Sequence, residues 1–260
     1  MSKFLRAYAL LAALCGLLAL APASSSAPQS NPNPKITPIN SISYGYSYGQ
    51  WQERFWKWYV SQPFATNPVF DPTGDLFANG QTGPVWFLPG GFGEVERHVK
   101  LPAGKALYVP FVNAVFWSHA HDFADPPNEF GDLPDAKLIA AKLGLDPDDL
   151  SDEELLSLLA NYVMTYAEGS IEIDGKEVKN LSSYLASTPA FKFVDQDLFT
   201  DFGFEVDGIA VSAGYAVILS PLTPGEHTIR VKAKLTVPDP TLTYLNFEAE
   251  VVHHITVAAK

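Results

Sequence analysis

The sequence predicts a mainly β protein: an antiparallel β-sandwich, jelly-roll or Ig-like in type, with α-helical insertions. Three observations point there. From residue 170 onward, short alternating runs are separated by Gly, Pro, Asn and Asp turn signals, the pattern of antiparallel sheets. Helical periodicity is confined to two stretches, near 47–62 and 135–168. Aromatic residues are abundant, with 5 Trp, 11 Tyr and 17 Phe, whereas the one cysteine is Cys15. Apolar burial, not disulfides, must therefore hold the fold.

The chain begins with Lys3 and Arg6, an apolar run over 8–20, and the small residues Ala21-Pro22-Ala23. A basic start, a short apolar core and an A-x-A site read as a secretory signal peptide over 1–23, too short for a membrane span. Leu14 precedes Cys15 where a lipoprotein signal needs a small residue, so no lipid anchor is expected. The expected location is secreted or periplasmic, with no membrane insertion of the mature form. Residues 24–38 are Ser, Pro and Asn with few apolar side chains, a flexible leader. Residues 39–260 then read as a single domain, with no internal repeat and no second linker.

Within it, 47–62 predicts a helix ended by Pro63. Trp51, Phe55, Trp58 and Gln62 form one stripe, widened by Trp56, Tyr59 and Val60. Gln50, Arg54, Lys57 and Ser61 lie opposite. So wide an apolar arc suits a helix pressed deep against a sheet; the alternative is a tryptophan face that stacks on sugar rings. Residues 67–93 hold DPTG and NGQTGP turns around the strand-like VWFL of 85–88. Residues 97–101 alternate, and ALYVPFV over 106–112 fits a buried strand in which Pro110 marks an edge or a bulge. A short helix over 135–143 stops at Gly144. Ser151 and Glu154 form a capping box for the next helix, whose face carries Leu155, Leu158, Leu159, Tyr162 and Tyr166. Asp174-Gly175 turns a hairpin. Residues 190–194, 214–219, 227–234 and 247–257 complete the strands.

Cleavage after Ala23 would remove Lys3 and Arg6 and no acid, taking the formal net charge from −12 to −14. Such a surface repels phosphate backbones and anionic lipid, which argues against nucleic acid as a partner. It either keeps the protein soluble or favours cations.

Several blocks resemble those of a group of uncharacterised secreted bacterial proteins: WQERFWKWYVSQP, NPVFDPTG, GQTGPVWFLPGGFG, LPAGKALYVPFVN, DGKEVKNLSSYLASTPAF and GYAVILSPLTPGEHTI. The resemblance spans most of 46–228. It implies one exported, mostly β domain and brings no catalytic residues with it. It also implies cysteines before GQ and before PAGK; Phe77, and His98 or a neighbour, stand there instead, so that disulfide is absent here.

Two constellations are candidates for chemistry. In extended chain His119 and His121 project the same way, so with an oxygen from Asp122 or Asp125 they could hold zinc. His98, His227 or His253 would have to supply a further ligand, and the bland alternative is a polar loop with two histidines. Asp71, Gln81, Trp86 and Asn113 flank aromatic runs, and with Trp117 could border a cleft for a small polar ligand. DPTG could bind calcium, although Asp before Pro-x-Gly also makes an ordinary turn. His253-His254 on a strand would put one ring inward and one outward. There is no G-x-S-x-G elbow, and Ser118 and Ser212 have no evident base.

These features lead to a secreted, non-catalytic binding module for a neutral polar ligand such as a glycan. The alternatives are an extracellular hydrolase using a divalent metal, zinc or calcium, at His119, His121 and Asp122, and a cell-envelope structural or interaction protein.

Overall fold

A computed structural model of the chain describes residues 32–33 and 35–259. The signal peptide expected over 1–23 lies outside the described residues, as does most of the expected leader. The end of that leader is seated in the fold. Ile36 is buried and bridges Leu219, the Thr37 amide donates to the Ile218 carbonyl, and the Asn33 amide pairs with the Lys179 backbone. An isoleucine among polar neighbours finds an apolar seat, so the folded body takes in residues that composition assigned to the leader. From Asn33 onward the chain clusters as one compact unit.

The elements run, in chain order, α1 Tyr48–Val60, β1 Val85–Phe87, β2 Gly93–Leu101, β3 Ala106–Trp117, β4 Ala120–Asp122 and β5 Glu129–Phe130. Then come α2 Leu133–Lys142, α3 Asp152–Met164, β6 Ala167–Ile173, β7 Lys176–Glu177 and β8 Leu185–Ser187. The chain closes with α4 Asp197–Asp201, β9 Phe204–Val206, β10 Ala210–Leu219, β11 Gly225–Leu235 and β12 Phe247–Val257. Among the described residues no helix is long and apolar enough to cross a membrane.

The protein is mainly β, and among the described residues the strands form three sheets ordered β1-β3-β10-β8, β2-β12-β11-β6-β7 and β5-β4-β9. Two of them are mixed and not purely antiparallel: β1 runs parallel to β3, and β2 runs parallel to β12. Both parallel partners are edge strands reached by long connections, which alternation within a strand cannot reveal.

Pro110 marks a bulge and not an edge. β3 lies inside its sheet, and its register with β10 steps from Val112↔Tyr215 to Pro110↔Ala216, which leaves Phe111 as the extra residue. The Asp174-Gly175 hairpin forms with both residues at positive φ, 50° and 74°, the geometry that favours Asp-Gly.

The capping box at Ser151 and Glu154 is present, and Ser47 with Gln50 makes a second one at the start of α1. Trp51, Phe55 and Trp58 are buried, so the aromatic stripe of α1 is core. Phe55 stacks on Tyr108 at 5.5 Å, and Trp58 meets Phe87 at 5.3 Å. The main core joins α1, β1, β3 and β10 to inward residues of β2, β11 and β12. A second core seats α2 and α3 on Val112, Ala114, Phe116, Val211 and Ala213. A third gathers Phe191, Phe193 and Phe199 around Ala120 and Val206.

Candidate functional site

A cavity of about 140 Å³ opens between α1, β3, the 88–92 loop and the inner face of β11 and β12. Each wall has a cause in the sequence. On α1, Phe55, Trp56 and Tyr59 project from adjacent turns. Trp56 is held by a buried hub: its Nε1–H donates to Ser212 Oγ at 2.7 Å, the Gln52 amide lies 2.7 Å from the same oxygen, and Ser212 donates to the Ala114 carbonyl. On β3 the bulge residue Phe111 joins Pro110 and Asn113.

The floor is the inward row of β11 and β12: Val231, Ala233, Phe247, Ala249, Val251 and His253. Ala233 and Ala249 are cross-strand partners. Two methyl side chains side by side leave space where larger residues would close the sheets together, so the cavity owes its existence to this pair.

The loop wall is fixed by Arg97. In β2 the inward positions are Arg97, Val99 and Leu101, and Arg97 is 1% exposed. Its guanidinium donates to four backbone carbonyls: Asp71 at 2.6 Å, Val69 at 2.8 Å, Gly90 at 2.6 Å and Pro89 at 3.2 Å. One side chain thus ties both the 69–71 turn and the Pro89-Gly90 segment to the sheet. Burial pulls its pKa down to about 10, opposed by the nearby Asp71 carboxylate, so it stays charged at neutral pH.

The lining is apolar apart from Asn113, His253, the Tyr59 phenol and the Trp56 indole N–H that Ser212 holds. His253 is buried at 1% exposure. Burial foremost, with the Arg97 charge beside it, pulls its pKa down to about 3, against the pull of a bond to the Pro89 carbonyl. The ring is therefore neutral, and with its N–H turned to Pro89 it leaves a lone pair on Nδ1. Among the described residues His253 Nδ1 and Asn113 Oδ1 are both buried without a hydrogen-bond partner. A buried polar atom without a partner costs about 1–3 kcal/mol, so both atoms are a standing cost of the packing beside the cavity. At the mouth, Phe92 is 65% exposed and stacks on Phe70, which meets Phe64 and Phe202 in a surface cluster.

Of the five residues read as ligand contacts, Asn113 lines this cavity and the other four do not. The Asp71 carboxylate accepts from the Thr73 amide and hydroxyl and from the Gly74 and Leu76 amides, which holds its pKa below the usual carboxylate range despite burial. It is a turn former. The Gln81 amide is spent on both backbone groups of Phe87. Trp86 packs against Phe77 under the Lys105 ammonium, and Trp117 packs against Phe199 and Phe204.

His119 and His121 do approach one carboxylate, but it is Asp207: His119 Nε2 lies 3.5 Å and His121 Nδ1 3.4 Å from its Oδ2, with Glu129 3.5 Å from His119. Asp122 closes its own loop instead, accepting from the Ala124 and Asn128 amides and the Asn128 side chain. Asp207 arrives through the β4–β9 pairing, which the local spacing around His121 does not encode. Among the described residues, the three-residue group whose ligand atoms all lie within 4.8 Å of one another is elsewhere: Glu96, His98 and His254. His253 points inward and His254 outward, as the strand alternation predicts.

Arg97 escapes a motif search, yet strand alternation alone places it on the inner face. Ala233 and Ala249 carry no chemical signal at all. Fold and site together define a mainly β protein with a small, uncharged, aromatic-walled cavity. No family model and no curated protein matches the sequence. Among solved structures, a chain from the structure of PbICP-C in complex with falcipain-2 is similar at 9% identity and a TM-score of 0.22, over 68% of this chain and 100% of that one. So distant a likeness carries no argument about fold or function.

Proposed function

We propose that the protein is a non-catalytic binding module for a small neutral ligand seated in the cavity between α1 and the β11–β12 floor. We read the two sheets that share its main core as a β-sandwich of jelly-roll or Ig-like type, and the 1–23 pattern as export from the cytoplasm. The observation that carries the reading is the small cavity itself, walled by Phe55, Trp56, Tyr59 and Phe111 and lined by no charged side chain. Aromatic walls without a charge select a neutral, largely apolar molecule with few polar groups. A cavity near 150 Å³ holds a benzene-sized group, so about 140 Å³ suits a phenol or a short alcohol. A whole sugar ring, with hydroxyls on every edge, would leave most of them facing Phe and Val side chains.

Calorimetric titration with phenols, aliphatic alcohols and monosaccharides tests this. Phenol-like or alcohol ligands bind, and Ala249→Leu, which fills the cavity, abolishes binding with the fold intact. Binding that survives Ala249→Leu, or that follows the monosaccharides alone, removes the cavity from the reading. The hydrolase alternative keeps one support, the approach of Asp207 to His119 and His121. Stoichiometric zinc that is lost on His119→Ala together with esterase activity would favour it.

A further inference from the structure

The geometry points to a transition-metal site on the outer face of the five-stranded sheet, formed by Glu96, His98 and His254. It is separate from the cavity and from the His119 region. β2 and β12 run parallel with His98 directly opposite His254, and Glu96 precedes His98 by two residues, so all three side chains leave the same face. The two imidazoles lie 4.7 Å apart between centroids and 17° from parallel. His254 Nε2 lies 2.6 Å from Glu96 Oε1, and the three ligand atoms all fall within 4.8 Å of one another.

A tetrahedral zinc with bonds of about 2.0–2.1 Å sets its ligand atoms ~3.3 Å apart. The His254–Glu96 pair must open by less than an ångström and His98 must close in, movements that half-exposed side chains make by small rotations while the paired strands hold their backbones still. Two imidazoles and one carboxylate suit zinc, copper(II) or nickel(II) over calcium or magnesium, which take oxygen ligands. Three protein ligands leave a fourth position for water or for a side chain from a partner. The strongly acidic chain, at formal net charge −12, raises the local concentration of cations.

The experiment is calorimetric titration of tag-free protein with zinc chloride. One zinc per chain is expected. His98→Ala and His254→Ala each should lower affinity by at least the ~100-fold that marks the upper end for outer-shell partners, and the double variant His119→Ala/His121→Ala should leave it unchanged. Because all three ligands face solvent, urea unfolding in EDTA should be the same for wild type and variants, which separates lost ligation from lost folding. Zinc X-ray absorption should report imidazole nitrogens. No binding at millimolar zinc, or binding that disappears with His119 and His121 and survives without His98 and His254, overturns the assignment. Either result leaves the cavity reading untouched, since its titration uses no metal.

Discussion

Acidification sets a buried histidine and a half-buried aspartate of this fold against each other. His253 ionises at about 3 in the fold and near 6.5 when unfolded. Between those values the unfolded chain binds a proton that the native state refuses, so the stability held by neutral His253 is full above 6.5 and is lost as the pH falls. From about pH 7 to about pH 4.5 this loss is roughly two units at 1.36 kcal/mol each, or about 2.7 kcal/mol. Asp132 behaves oppositely. Burial raises its pKa from 3.8 to about 6, against the Trp117 amide that donates to it. Native Asp132 takes up its proton first, so this group adds stability as the pH falls from 6 towards 3.8, about 2 kcal/mol by about pH 4.5. Together the two leave a net loss below about 1 kcal/mol. Urea unfolding followed by tryptophan fluorescence at both pH values resolves them. His253→Gln should show stability rising on acidification relative to wild type, by about 2.7 kcal/mol in the double difference, and Asp132→Asn should show it falling by about 2 kcal/mol. All other titrating groups are common to the three proteins and drop out of the differences. If either variant tracks wild type within about 0.5 kcal/mol, that group is not held in the protonation state described, and for His253 the free acceptor at the cavity goes with it.

Ser212→Ala removes the oxygen that the Trp56 indole and the Gln52 amide both approach. It should cost about 2–4 kcal/mol by urea unfolding and weaken cavity binding by loosening Trp56. Arg97→Lys cannot satisfy four carbonyls with one ammonium; the loss should reach about 3 kcal/mol or more, and amide exchange should speed up around 69–74 and 89–91 before it does elsewhere. Tyr108 carries a buried hydroxyl with no partner among the described residues. Tyr108→Phe should therefore be neutral or stabilising, by up to about 1–3 kcal/mol in the same unfolding assay; a destabilised variant would reveal a partner for that hydroxyl.

What the sequence made legible was local. The wide aromatic arc of α1, the capping box at Ser151, the Asp174-Gly175 turn and the bulge option at Pro110 each depend on residues within one or two turns of each other, and each has its counterpart in the fold. The in-and-out alternation of His253 and His254 was legible for the same reason. The parallel edges were not, because β2 pairs with β12 across some 150 positions of chain and nothing in GEVERHVKL names its partner.

The sites failed to be legible in a more particular way. Reading by chemistry selected Asp71, Gln81 and Asp122, polar side chains next to turns. In the fold Asp71 and Asp122 spend their hydrogen bonds on their own loops, which is what short polar side chains near Gly and Pro do best, and Gln81 spends its amide on the backbone of Phe87 in β1. A side chain so satisfied has nothing left for a ligand. The groups with capacity to spare are those that the fold itself stranded: His253 and Asn113, carried into an apolar interior by strand alternation, and the Glu96, His98 and His254 face, joined by the register of two distant strands. The cavity is defined by two alanines, that is, by volume that is missing, and missing volume has no signature until the opposite wall is known. For a chain of this kind a better guide than the polar residues near turns is the polar residue at an inward strand position, because only tertiary structure decides whether its partner is protein or ligand. Arg97 and His253 both meet that test, and they are partners across β2 and β12: one finds four carbonyls and becomes structure, and the other keeps an unpaired lone pair beside the cavity.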